Sequence, residues 1–251
     1  MIIDFSILPE AFLSRTSTEV VREMEECGIT LGLVHGRVGV TGEACLSPES
    51  LNHLVTEHSG RLICAVAVDP RSLEQSMEII ENEVVHRVMK AVVLEPGLLP
   101  CHWFADDRRL YPLYDYCSRA GVPVILHVGG NAGPDILHTH PGQADHIATD
   151  FPALNIVIRH GGWPWLPHIL HVAFRRHNIY VAPGRYMFEM PGWQDYVTAA
   201  NSYLRDRLLF ASDYPQTAFA CVEHFVKLPF KPEVLPLLLE HNAARLLNMM
   251  P

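Results

Sequence analysis

Eight short apolar runs punctuate the chain, separated by longer segments whose apolar residues recur at helical spacing. The runs fall at 2–5, 29–34, 62–68, 91–94, 122–126, 156–158, 178–181 and 207–211. Most are near-continuous in Val, Ile and Leu rather than alternating, as expected of strands buried on both faces. Between them, Thr16-Ser17-Thr18-Glu19 is a capping-box pattern. Val20, Val21, Met24 and Cys27 follow as a helical stripe stopped by Gly28. Ser47-Pro48-Glu49 is an N-cap with proline at the first helical position. Further helices are expected at 72–86, 106–120, 142–150, 165–176 and 192–204, with two more near 218–227 and 232–248. Strands and helices alternating eight times over about 250 residues match a (β/α)8 TIM barrel. No linker or low-complexity stretch divides the chain, which predicts a single domain over 1–251. A doubly wound sheet would usually carry a Gly-rich phosphate turn after an early strand, and none is present.

Composition narrows the function classes. With 49% apolar and 19% charged residues the chain reads as an ordinary soluble globule. A formal net charge of −9 supplies no basic field for nucleic acid or an anionic membrane. The N-terminus, M-I-I-D-F-S, lacks the basic region of a signal peptide, and no apolar run approaches membrane-spanning length. Six scattered cysteines, Cys45 among them, form no C-x-x-C pair and are expected as reduced thiols in a cytoplasmic protein. Most of the 15 histidines must be structural or exposed; His138, His140 and His146 are expected in a solvated loop-to-helix segment.

In a barrel the C-terminal strand ends gather on one face, where such folds keep their chemistry. That placement collects His35, Arg37, Asp69, Glu95, His127, His160, Arg185 and Asp213. Three of these sit at strand exits flanked by Gly or Pro: His127 in L-H-V-G-G, His160 in R-H-G-G and Asp213 in S-D-Y-P. Two imidazoles and a carboxylate suit metal ligation or general acid–base work.

These residues sit in a familiar frame. The segments M-I-I-D, V-D-P, R-L-Y-P-L-Y-D-Y-C-S-R-A-G-V-P-V-I-L-H-V-G, D-F-P-A-L-N-I-V-I-R-H-G-G-W-P-W, R-L-L-F-A-S-D-Y-P and N-A-A-R-L-L run nearly end to end. In that order the chain resembles the amidohydrolase-related barrel family that includes aminocarboxymuconate semialdehyde decarboxylase. The resemblance implies a hydrolase or decarboxylase acting on a small carboxylated, often aromatic-derived substrate. It also implies one divalent metal, zinc or manganese, held partly by His127 and Asp213, with His160 handling protons. Pairing through outer helices into a homodimer is a further implication. One departure bears on the metal: family members usually carry His-x-His after the first strand, and here Ser6 and Leu8 stand at those positions. The acid that the family tends to carry after strand seven is likewise replaced by Ala182-Pro183-Gly184.

Three readings remain open at this point. His127, His160 and Asp213 hold a metal with one position left for water, with Glu95 as a fourth donor or base. Alternatively, His160 or His127 acts as a metal-free base oriented by Asp213, while Arg185 and Arg37 grip a substrate carboxylate. In the third, catalysis is lost and the mouth binds a small molecule or assembles, with Trp163 among the aromatic residues near it.

Overall fold

The computed structural model describes residues 1–38, 46–85, 88–188 and 190–249. Cys45 and His86, which enter the expectations above, lie outside them. Seven parallel strands are found among the described residues: β1 (Ile3–Ile7), β2 (Leu31–His35), β3 (Leu62–Ala67), β4 (Ala91–Leu94), β5 (Val124–His127), β6 (Ile156–Arg159) and β7 (Ile179–Ala182). They pair in chain order, β1 to β7, as one curled α/β barrel sheet. The expected eighth strand at 207–211 lies between β7 and β1 without forming a ladder. Leu209 N–H donates to Val181 O at 2.9 Å and Phe5 N–H donates to Phe210 O at 3.0 Å. One or two bonds to each neighbour bring the segment alongside but give it no run of strand pairing.

The helices form where caps and stripes place them. Thr16 and Glu19 make the reciprocal capping box of α1 (Ser17–Glu26), and the Ser47 hydroxyl accepts from Ser50 N–H at the start of α2 (Pro48–Glu57). The helix expected at 72–86 is shorter: α3 (Leu73–Ile80) gives way to a wider turn over Glu81–Val85. Next come α4 (Tyr111–Ala120), α5 (Gly142–Asp150), α6 (Leu166–Arg175) and α7 (Trp193–Ala200), followed by the short α8 (Cys221–Phe225) and α9 (Asn242–Leu246). Among the described residues no helix is long and apolar enough to cross a membrane.

Side-chain alternation divides the core in two. Along β6, Ile156 and Ile158 pack outward into the layer shared with the helices, while Val157 faces the barrel interior. Leu31 and Leu33 of β2, Val93 of β4, Ile125 of β5, and Leu209 and Ala211 belong to the same interior cluster. Ala243, Ala244, Leu246 and Leu247 at the chain end also join it. Two positions beyond each last interior residue, the same parity turns His35, Glu95, His127, Arg159 and Asp213 inward at the C-terminal end of the sheet. All five are buried. An irregularity in β1 between Asp4 and Ile7 shifts its parity by one. Ile7 therefore packs outward with the helices, and Ser6 reaches Asp213.

Candidate active site at the barrel mouth

Asp213 is the most heavily engaged group at the mouth. Its Oδ1 accepts from Ser6 Oγ–H at 2.7 Å; its Oδ2 meets His160 Nδ1 and the Arg185 backbone N–H, each at 3.1 Å. Gly184 makes this approach possible. Its φ is +57°, and a Cβ there would stand 1.8 Å from Asp213 Oδ2. Burial works to raise the Asp213 carboxyl, but His160, Arg159 and the Ser6 bond hold it well below the usual carboxylate range. An ionised Asp213 only accepts, so His160 Nδ1 carries the hydrogen of that contact. Burial, reinforced by Arg159 and opposed by Asp213, lowers the His160 pKa, so the imidazole is neutral near pH 7 and Nε2 presents a lone pair.

His160 stands at the first position after β6 with φ +59°, just before Gly161 and Gly162. Its ring meets that of His127 edge-on, with centroids 4.7 Å apart, and that of Tyr186 at 5.4 Å. Trp163 stacks on Tyr186 with ring centroids 5.2 Å apart. His127 Nδ1 lies 3.2 Å from Glu95 Oε1, off the line of a hydrogen bond, and neither ring nitrogen has a hydrogen-bond partner among the described residues. Burial pushes His127 down to about 4, with His160 and Arg159 adding to it and Glu95 opposing.

Glu95 joins the mouth to two arginines. Its Oε1 accepts from Arg159 Nη1 at 2.7 Å and its Oε2 from Arg37 Nε at 3.1 Å. Burial raises its carboxyl, yet the His127 contact and the two guanidiniums hold it well below the ordinary range. Arg37 also pairs with Glu10. Asp4, behind Asp213, accepts from the backbone N–H groups of Ser6 and Ser212 and from the Ser212 hydroxyl. Burial pushes it up to about 7 against those bonds.

The structure thus brings together His127, His160, Asp213 and Glu95. The Arg37 side chain is shared between two carboxylates, whereas the Arg185 side chain is exposed and reaches Gln216 at 3.5 Å. Asp69 is held by Arg71 in the turn after β3. At the positions where a His-x-His pair is implied, Ser6 donates to Asp213 and Leu8 is fully buried. Among the described residues no group of three or more His, Cys, Asp or Glu is arranged to hold a metal ion. His138, expected in a solvated loop, is instead buried: it bonds Asp135 and the His102 carbonyl and stacks on Phe104. Arg159 and Ser6 are mouth residues that the strand-exit reasoning passed over, while it does collect His35. Alternation from Val157 would have found Arg159, and alternation from Leu33 marks His35 as inward; nothing in the sequence announces the irregularity that turns Ser6.

A model of the amidohydrolase family matches residues 18–249. An uncharacterized TIM-barrel protein from Bordetella bronchiseptica is 34% identical, with a TM-score of 0.89 and 98% of each chain covered. 4-Oxalomesaconate hydratase from Rhodopseudomonas palustris is 19% identical, with a TM-score of 0.70 and 99% of this chain and 96% of that one covered. 5-Carboxyvanillate decarboxylase from Novosphingobium aromaticivorans, solved with manganese and 4-hydroxy-3-methoxy-5-nitrobenzoic acid, is 12% identical, with a TM-score of 0.73 and 99% and 96% covered. The likeness to the last two is one of fold. No curated protein matches the sequence.

Proposed function

The chain belongs to the amidohydrolase family, and from that premise we propose that it is a metal-independent hydrolase of a small carboxylated ester or lactone. The observation that carries this reading is the buried His160–Asp213 contact at 3.1 Å, with Asp213 pinned from its other side by Ser6. His160 Nε2 takes a proton from water as the water oxygen adds to the substrate carbonyl carbon. It returns that proton to the leaving oxygen as the C–O bond breaks. Asp213 fixes the tautomer and offsets the charge of the imidazolium formed between the two steps. Such a positioned base contributes roughly 10²–10⁴-fold in rate. His127 supplies a second, neutral imidazole beside the first.

The donor set does not fit a divalent cation. Asp213 already accepts from Ser6, His160 and Arg185, and Glu95 from Arg159 and Arg37. Leucine at position 8 cannot ligate, and the buried Arg159 guanidinium already places a fixed positive charge beside both carboxylates. No step therefore runs through a metal.

The test is hydrolysis of a panel of carboxylated esters and lactones in the presence of a chelator. Activity should persist, and Asp213→Asn should lower kcat by about 10²–10⁴-fold while KM changes little. Activity that is lost to the chelator and restored by manganese or zinc would refute the reading. So would an unchanged kcat in His160→Gln.

A further inference from the structure

The mouth holds more hydrogen-bonding capacity than it uses. Arg159 is 2% exposed and spends Nη1 on Glu95, yet its Nε and Nη2, both buried, have no partner among the described residues. His127 Nε2 and His35 Nδ1 are buried and unmet in the same way. His35 Nε2 lies 2.7 Å from the Phe5 carbonyl, so that nitrogen carries the hydrogen and Nδ1 is a bare lone pair. His35, His127 and Arg159 are the last residues of β2, β5 and β6. His127 and Arg159 are direct register partners, and interior parity turns all three inward.

A buried guanidinium edge left unmet costs more than an unmet neutral donor. Its Nε–H and Nη2–H lie parallel in one plane, the fork that matches the two oxygens of a carboxylate. We propose that the Nε/Nη2 edge of Arg159 is the seat of the substrate carboxylate, with the ring of its register partner His127 beside it. This assignment takes anion recognition away from the two arginines that strand-exit reasoning favours. Arg37 is shared between Glu10 and Glu95, and the Arg185 side chain lies outside in solvent. Arg159 precedes His160 in the chain, so a carboxylate seated there holds the rest of a small molecule next to the base. The assignment rests on the proposed function for its class of ligand, but its test reads binding alone.

The experiment is isothermal titration at pH 7.5 with benzoate and with benzamide, its neutral shape match. The proteins are the wild type, Arg159→Lys, which keeps the charge and loses the fork, and the double variant Glu95→Gln/Arg159→Gln, which leaves no lone buried charge. Circular dichroism checks that each is folded. Wild type should bind benzoate at least about tenfold more tightly than benzamide. Arg159→Lys should weaken benzoate by about 10- to 100-fold, and the folded double variant should show no saturable binding. Equal affinity for the two probes, no benzoate binding by wild type, or wild-type affinity in Arg159→Lys overturns the assignment. If Arg159→Lys does not fold, the double variant decides. A failure to hydrolyse esters with benzoate binding intact would count against the catalytic reading alone.

Discussion

Glu95→Gln separates a structural ion network from a decorative one. The substitution keeps the side-chain volume, so no cavity opens, but it replaces one acceptor oxygen with an NH₂ group that faces a guanidinium. Arg159, 2% exposed, loses the charge of the only residue to which its side chain donates among those described. Removing one member of a buried pair costs about 3–5 kcal/mol, because the remaining charge is stranded. For a chain of this size each kcal/mol moves Tm by about 2–4 °C, so Tm should fall by about 6–20 °C. Scanning calorimetry at pH 7.5 measures it. The pH dependence supplies a second signature. Because the folded Glu95 pKa lies far below its ordinary 4.5, its stabilisation is complete above that value and is lost as pH falls through the folded pKa. The wild-type advantage over Glu95→Gln should therefore be flat above about pH 4.5 and shrink below it. Combining Glu95→Gln with Arg159→Met should be less damaging than the two single changes added, by about 1–3 kcal/mol. A Tm drop under about 3 °C, or strict additivity, would refute this account.

Three other outcomes follow from the same geometry. Buried His35 and His127 titrate at about 3 and about 4 against an ordinary 6.5. The stability they lend is complete above 6.5 and is lost as pH falls toward 4, so urea midpoints should be lower at pH 4.5 than at pH 7. Asp4 runs the other way: raised from 3.8 to about 7, its contribution is complete below 3.8 and fades as pH rises through about 7. Asp4→Asn should therefore remove a decline in stability between about pH 4 and 7, and an unchanged pH dependence across that window would show that Asp4 does not cause it. Gly184→Ala combines a positive φ with a Cβ driven onto Asp213. It should cost at least about 1–2 kcal/mol in backbone strain alone and should impair any His160-dependent activity; a wild-type Tm and rate would contradict the placement.

Much of the site was legible because strand parity and strand ends are local properties. His127, His160 and Asp213 were visible as polar residues leaving apolar runs, and Glu95 lies one step past β4. Predicted strands nonetheless stopped short of His35, His127 and Arg159, since side-chain polarity was taken to end a strand. The backbone ladder does not read side chains, and it continues through His35 in β2, His127 in β5 and Arg159 in β6. Arg159 was passed over for the same reason: a charge beside His160 looked like the edge of a turn, although two residues on from Val157 it faces inward.

By itself the sequence determined the order of elements, the helix caps, the α/β barrel class and the family, because each rests on short-range spacing repeated along the chain. Only the tertiary structure decided who pairs with whom at the mouth. Ser6 reaches Asp213 through an irregularity in β1 paired across 207 positions of chain. Arg37 is drawn to Glu10 and Glu95, and Arg159 is left with one side of its guanidinium unmet. Those outcomes depend on parity shifts and on competition among buried charges, which are set when distant strand ends meet and not by any stretch of the chain alone.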